Sequence, residues 1–472
     1  MHSYAKCNLH SLFKRQVVAM SNLKLYAGTF TVCLAQFIAG MFLPWPLTLI
    51  KQQPADDSSF KITMIEASWA ESLLKLGTAF GCFLSMFIVD LVGRKISILF
   101  TYILTSLSWS LVIWNPSIMN LYAARFVGGI SNGIIFTSGA MYVTEISPPR
   151  IRGVLCTCFV LTEHFGRFVG YIIATFGNTD QYPYIVTSIA TVQFAIFVWF
   201  PESPYYLLRR KQFEAAMDSL MFLRNSPDVS EEMNSIVRTV ECDPSNNGIL
   251  SSVLHLISQP GGKSIIFLGL CIMILQAFSG SSIPINYAQM IFAKTNNVEL
   301  QGYQTRIILA TLHLTSYLVC ISLVDHLGRK PLTIVSTVGV IYCTFLLGVY
   351  STMQENRVHV TNLQMLPLVA VLFYVVSVSL GLTSVPFVVL NEIFPIYAKA
   401  TCVSIGLCIN FIWSFIVLRI SSVVTFEYNM YIVFWLISAL NAFSIFFLVY
   451  YLPETKRKSF LQIENSIIRR IT

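Results

Sequence analysis

The sequence predicts an all-α membrane protein, with twelve transmembrane helices in two pseudo-symmetric six-helix bundles. Three observations predict it. Of 472 residues, 55% are hydrophobic and only 11% charged, whereas a soluble globular chain carries about 25% charged residues; the mean hydropathy is +0.66. Twelve apolar runs each reach the roughly 20 residues that cross a bilayer as a helix. Finally, the charged stretch Asp90-Leu91-Val92-Gly93-Arg94-Lys95 recurs about half a chain later as Asp325-His326-Leu327-Gly328-Arg329-Lys330, each copy set between two apolar runs.

The first six spans are expected near 23–45, 68–89, 96–114, 119–142, 153–177 and 182–200, and the second six near 264–292, 304–324, 331–350, 364–390, 400–424 and 428–451. Lys14 and Arg15 precede the first run, which is too long for a signal core and lacks a small-residue cleavage pattern, so it reads as a retained span. The chain therefore divides into an N-terminal tail (1–22), a first bundle (23–200), a linker (201–263), a second bundle (264–451) and a C-terminal tail (452–472). In the linker, Glu214-Ala215-Ala216-Met217 predicts a short amphipathic helix, followed by Ser, Asn, Pro and Gly punctuation. The loop 46–67, with Asp56-Asp57-Ser58-Ser59, is polar. Gly77 with Gly81, and Gly128-Gly129 with Gly133, predict helices that approach closely.

Charge placement sets the topology. Twenty-one of the 31 lysines and arginines fall on one side of the spans and five on the other, a positive-inside bias that puts both termini in the cytoplasm. The net charge of +8 thus encodes orientation and calls for no nucleic-acid partner. The eleven cysteines lie mostly within apolar spans, with none in a predicted outer loop. They read as small apolar helix residues, with neither a disulfide framework nor a metal site. No nucleotide loop, metal cluster or activated nucleophile is present, so no enzyme activity and no cofactor are expected.

The duplication extends beyond the charged stretch. Glu145 and Glu392 each stand at a span end, followed by a Pro three residues on (Pro148, Pro395) and a cation at seven (Arg152, Lys399). Pro201-Glu202-Ser203 is echoed by Pro453-Glu454-Thr455. A repeat this long is a duplicated half-protein rather than a solenoid unit. Duplicated halves meeting at a central cavity are an architecture of secondary transporters. Arg94 and Arg329 can bind a carboxylate with two parallel bonds where Lys could not, and Glu145 and Glu392 supply those carboxylates.

On these motifs, together with Ala124-Arg125-Phe126-Val127-Gly128 and Pro453-Glu454-Thr455-Lys456, the chain resembles the sugar porters of the major facilitator superfamily over nearly its whole length. Glu66-Ala67-Ser68-Trp69 before the second span is most similar to the insect facilitated trehalose/glucose transporter group. The resemblance implies gating roles for Asp90, Arg94, Glu145 and Arg152 in the first half, and for Asp325, Arg329, Glu392 and Lys399 in the second. It also implies a mid-membrane clasp for sugar, part of which this sequence has replaced. The family's Gln pair in span 7 becomes Gln276-Ala277, its Asn two residues after the following Gly becomes Ser282, and its span 8 Asn becomes His313. Phe387 stands for a Trp, Val160 for a span 5 Gln, and Asn410 is retained. Arg125 resembles the arginine that pairs with a span 1 Asp in proton-coupled members, yet no acid lies between Leu23 and Gln53.

Span 5 also carries Glu163, His164 and Arg167 within an apolar run, on the helix face shared with Val160. Intramembrane charges point by default into the bundle or a wet cavity. Two readings follow: Glu163 and Arg167 neutralise each other at i, i+4, or they touch an altered solute or a proton. His313 reads either as a core histidine or as a solute contact. The expected function is transport of a hexose or disaccharide, glucose or trehalose, by alternating access down its gradient. The alternatives are a proton-coupled carrier of a different, charged solute working through Glu163, and a transport-incompetent sensor on the same fold. The expected partners are a small-molecule solute, a sugar, and the lipid bilayer of the plasma membrane, with the chain acting as a monomer.

Overall fold

The computed structural model describes residues 23–45, 62–148, 151–176, 181–241, 249–259, 261–281, 283–284, 288, 302–358, 363, 365–456, 462–463 and 466–467. In the first half, α1 (Leu23–Met41), α2 (Met64–Val92), α3 (Arg94–Trp114), α4 (Ile118–Ile146), α5 (Arg152–Phe176) and α6 (Tyr182–Phe197) follow the six expected runs. Four short helices fill the linker: α7 (Pro204–Arg209), α8 (Phe213–Arg224), α9 (Ser230–Glu241) and α10 (Ile249–Ser258). The second half comprises α11 (Gly262–Phe278), α12 (Gly302–Leu327), α13 (Arg329–Glu355), α14 (Leu366–Ser377), a π-helical turn (Val378–Leu382), α15 (Val385–Ile393), α16 (Ile396–Glu427) and α17 (Met430–Tyr450).

Among the described residues, nine segments are long and apolar enough to cross a membrane, and α6 and α11 are shorter apolar helices. The twelfth segment is α5, whose 25 residues span about 37 Å at 1.5 Å per residue but carry Arg152, Glu163 and Arg167. Side chains such as Phe30, Trp114 and Phe176 face outward, as they can where the solvent is hydrocarbon.

Helix ends follow local chemistry. Thr63 caps α2 in a reciprocal box, its N–H donating to Glu66 Oε2 at 2.7 Å and its hydroxyl accepting from Glu66 N at 3.2 Å. The α1 helix ends at Met41, whose carbonyl accepts from the Tyr182 hydroxyl at 2.6 Å. Phe42, Trp45, Trp109 and Tyr182 then form an aromatic core, with Phe42 stacked on Trp109, Trp45 meeting it edge-on and Tyr182 tilted against it. The close approach of α2 and α4 rests on glycine, since a methyl at Gly77, Gly81, Gly129 or Gly133 would run into the facing helix's backbone.

Three details refine the expected elements. The α11 helix pauses at Phe278, where Gly280 takes a positive φ of 61°, and helical backbone returns at 283–284 and 288; the rest of span 7, expected to reach 292, lies outside the described residues. Span 10 is interrupted: Pro386 has no N–H to close the helix ladder, and the preceding turn widens so that Thr383 N reaches Val378 O at 3.0 Å. Among its described residues the linker holds four short helices, of which α7, α8 and α9 build a small core of Leu207, Leu220, Met233 and Ile236. Arg224 ties this core to the first half, donating to Ile146 O at 3.0 Å while pairing with Glu232 at 2.7 Å.

Helices α1–α6 pack among themselves, as do α11–α17. The two sets meet chiefly along α2 against α16 and α5 against α12.

Candidate functional site

At one end of the molecule each half carries a charged knot. Arg94, 1% exposed, donates through Nε and Nη2 to Glu145 Oε1 at 3.2 and 3.1 Å, and through Nη1 to Asp90 Oδ1 at 3.3 Å. The Ser203 hydroxyl donates to the second Glu145 oxygen. In the other half Arg329 Nη2 donates to Glu392 Oε1 at 2.9 Å. Both knots close inside their own half. Arg152 donates to the Ser147 carbonyl at 3.2 Å rather than to a carboxylate. It also acts electrostatically on Lys399 of the other half. The Asp325 side chain lies outside the described residues.

The Pro-Glu echoes have a definite structural task that sequence reasoning missed. Glu202 accepts from Arg94 N at 3.1 Å, Lys95 N at 3.0 Å and Ser203 N at 2.8 Å, which caps α3. Glu454 does the same for α13, accepting from Arg329 N at 3.0 Å, Lys330 N at 3.1 Å and Lys456 N at 2.9 Å. A carboxylate on bare N–H groups at a helix N-terminus also meets the positive end of the dipole. The repeated glycine follows: Gly93 and Gly328 take φ of 100° and 97°, and a side chain there would strike the Glu carboxylate. The signal was visible, since each Pro-Glu lies one half-length from its echo.

The two caps differ in electrostatics. Burial pushes the Glu202 carboxyl above the usual range, against the pull of the Ser203 and Lys95 N–H groups and the Arg94 charge. Burial acts on Glu454 too, but N–H groups from Lys456, Arg329 and Lys330, with the Arg329 charge, outweigh it and hold that carboxyl below its usual value.

At mid-membrane, Glu163 and Arg167 form an ion pair at 3.4 Å, both about one-fifth exposed. Gln36 of α1, fully buried, donates to Glu163 Oε2 at 3.2 Å. Lys75 of α2 acts electrostatically with Glu71, Glu163 and Arg167, and its Nζ lies 5.6 Å from the Phe411 ring centroid of α16. His164, although one residue from Glu163, turns away: its ring packs against His313 and Tyr317 of α12, with centroids 4.8 and 4.5 Å away. The Gln36 and Lys75 contributions come from other helices; Gln36 had no sequence signal, whereas Lys75, a charge inside the expected second span, carried the same signal as Glu163 and Arg167.

The expected clasp residues gather around the π turn. Gln276 donates to the Thr383 carbonyl at 3.2 Å, and Asn410 donates to Gln276 Oε1 at 3.3 Å and to Met273 O at 2.8 Å. The His313 Nδ1 shares a 2.8 Å hydrogen bond with Ser379, within the π turn. Phe387 lies 5.5 Å, ring to ring, from Phe136 of the other half, which also meets Phe411 at 6.4 Å. Ser282 lies outside the described residues. A π turn inside a helix is often a functional feature, and here it brings three polar contacts to one place.

Arg125, buried in α4, donates through Nη1 to the Phe42 carbonyl at the end of α1 and lies 5.5 Å from the Trp45 ring. Glu71 is the acid that acts on it electrostatically. Among the described residues, no group of three or more His, Cys, Asp and Glu side chains is placed to hold a metal ion.

Two duplicated six-helix halves, a polar centre between them and matched ionic knots at one end define a multi-pass membrane carrier of the major facilitator type. The chain belongs to the sugar (and other) transporter family, whose model matches residues 25–466. It is similar to the facilitated trehalose transporter Tret1 of Polypedilum vanderplanki, 26% identical over 424 residues, covering 90% of this chain and 84% of that one. It is also similar to Tret1 of Bombyx mori, 24% identical over 408 residues, covering 86% and 80%. Trehalose transporter 1 of Drosophila melanogaster is 25% identical over 425 residues, and the chain spans about half of it, 49%. Among solved structures, the proton:xylose symporter XylE bound to 6-bromo-6-deoxy-D-glucose superposes with a TM-score of 0.70 at 21% identity, covering 93% of this chain and 98% of that one. That likeness establishes the fold alone. The protein is thus a sugar transporter by family, and its substrate is a small molecule.

Proposed function

We propose that this carrier moves a neutral sugar, a hexose or a disaccharide such as glucose or trehalose, down its gradient by alternating access. The observation that carries the proposal is the Asn410–Gln276 hydrogen bond beside the π turn. Neutral amides offer both donors and acceptors, which suits hydroxyl rims, and here each amide occupies the other until a solute exchanges for it. The relatives named as facilitated trehalose transporters support the substrate class. The passive mode is supported by α1, which carries no acid within Leu23–Met41; Arg125 meets a backbone carbonyl there instead.

The working parts follow. Gln276, Asn410, His313 and Phe387 contact the solute from the second half, and Glu163 and Arg167 face it from the first; Ser282 belongs to the same clasp by its spacing. The knots of Asp90, Arg94, Glu145 and Arg152, and of Asp325, Arg329, Glu392 and Lys399, keep the inner ends of the helices rigid while the halves rock. The excess of Lys and Arg supports a topology with the knots, the linker and both termini in the cytoplasm, in a carrier that we read as a monomer at the plasma membrane.

The test is uptake of labelled glucose and trehalose into sugar-transport-deficient cells, with and without a proton gradient. Saturable, gradient-independent uptake weakened by Gln276→Ala and by Asn410→Ala is the expected result. Gradient-dependent uptake that disappears in Glu163→Gln or Glu71→Gln would overturn the passive reading. Unchanged affinity in both amide variants would remove the clasp assignment.

A further inference from the structure

The ionic knots occupy one end of the molecule, and the opposite end has its own crossing between the halves. Ser68 and Trp69 lie in the first turns of α2, and Arg419 and Ser422 in the last turns of α16. Ser68 Oγ and Ser422 Oγ are 2.5 Å apart. Arg419 Nη1 donates to Ser68 Oγ at 3.4 Å, and its guanidinium lies 3.6 Å above the Trp69 ring centroid. Ser422 is buried and Trp69 about one-third exposed. Unlike the Arg–Glu knots, every one of these contacts joins one half to the other, so a carrier that rocks its halves apart at this end must break all of them together.

We infer that Trp69 and Arg419, with Ser68 and Ser422, form a latch that holds this face shut and positions the carrier for opening toward the knot face. The inference rests on the alternating-access reading above. The chemistry suits the task. An arginine over a tryptophan face is attracted by the ring quadrupole without a fixed hydrogen-bond geometry, so the contact forms and releases over a range of approach angles. The serine pair adds register, because two hydroxyls meet only when α2 and α16 are aligned. Arginine is better suited than lysine here because its plane can stack while an edge still donates to Ser68.

Two experiments on the full-length chain in cells or liposomes test it, and the second does not depend on knowing the solute. In the first, Ser68→Cys with Ser422→Cys is oxidised with copper phenanthroline. The pair is expected to crosslink, uptake to fall more than tenfold, and reductant to restore it, with each single variant unaffected. Failure to crosslink, or a crosslinked carrier that still transports at the parental rate, overturns the latch. In the second, Ser72→Cys, one helical turn below Ser68 on the same face, is labelled with an impermeant thiol reagent added to this side. Trp69→Ala and Arg419→Gln are each expected to raise the labelling rate roughly tenfold, the effect of losing a partly desolvated cation–π contact, with Arg419→Lys in between. The double variant should exceed neither single by much. A destabilised but unlatched fold would also raise labelling from the knot side, so a rate that rises equally from both sides overturns the assignment. If neither glucose nor trehalose is carried but the labelling pattern holds, the substrate reading fails and the latch stands.

Discussion

The two ionic knots look interchangeable in sequence, yet the structure predicts that removing their arginines has unequal costs. Arg94 is 1% exposed and its partner Glu145 16%, whereas Arg329 and Glu392 are 12% and 28% exposed. Arg94→Ala leaves Glu145 half-buried with only the Ser203 hydroxyl among the contacts described above, and removes the bond to Asp90 as well. Breaking a buried pair by deleting one partner costs about 3–5 kcal/mol. Arg329→Ala breaks a pair that is more exposed on both sides, and the cost falls to about 1.5–3 kcal/mol, the worth of a charged hydrogen bond. The gap of roughly 2 kcal/mol is read as the difference in temperature at which detergent-solubilised protein loses its monodisperse peak. Neutralising the stranded acid should repair the first case, so Arg94→Met with Glu145→Gln is expected to recover most of the loss. Equal losses for the two alanine variants, or a larger one for Arg329→Ala, would refute the argument from burial.

The helix caps predict opposite pH trends. Glu454 has a depressed carboxyl pKa, so its contribution is present above the unfolded value of about 4.3 and lost as pH falls through the folded one; Glu454→Gln should cost about 1–2 kcal/mol at neutral pH, with the deficit closing below about pH 4. Glu202 has a raised one, so folding favours its protonated form, the associated stability is complete below the unfolded value and lost as pH rises through the folded one, and Glu202→Gln should cost less than Glu454→Gln at pH 7. Heat-stability series from about pH 2.5 to 8 decide both. At the π turn, Pro386→Ala should let the helix ladder close, pull Thr383 and Ser379 away from Gln276 and His313, and lower the uptake rate roughly tenfold, about 1.4 kcal/mol in the barrier, while the surface amount stays constant. Parental rates would show that the widened turn has no part in transport.

Most of the fold was legible because a bilayer imposes a coarse code. Twelve runs of the right length stand out even where α5 carries three charges, and a duplicated half shows through the recurrence of Asp-X-X-Gly-Arg-Lys. What was hidden depends on direction and partners. Glu163, His164 and Arg167 share a face by spacing alone, but neighbouring residues on a helix diverge by about 100°. That divergence turns His164 toward α12 while Glu163 meets Gln36 and Arg167. Likewise Glu202 and Glu454 looked like echoes of one another, and only the folded chain shows their carboxylates seated on the N–H groups of α3 and α13.

The same distinction separates the parts of the carrier that the family resemblance reaches from those it does not. The repeated motifs lie at helix ends, where a positive-φ glycine, a capping carboxylate and a buried arginine are required by backbone geometry; any sequence keeping this fold must supply them, and both halves do. The contacts that join the halves follow a different rule. Phe136 against Phe387, His164 against His313 and Arg419 over Trp69 each need one side chain from each half, and no internal echo specifies such a pair. They must also break and re-form during transport, so moderate, geometry-tolerant aromatic and cation–π contacts serve better than the buried ion pairs within each half. A half held rigid by its own ionic knot, touching its partner through contacts of about 0.5–2 kcal/mol, can rock as a body. Strengthening one of those contacts into a covalent bond, as in Ser68→Cys with Ser422→Cys, should therefore stop transport without disturbing either half.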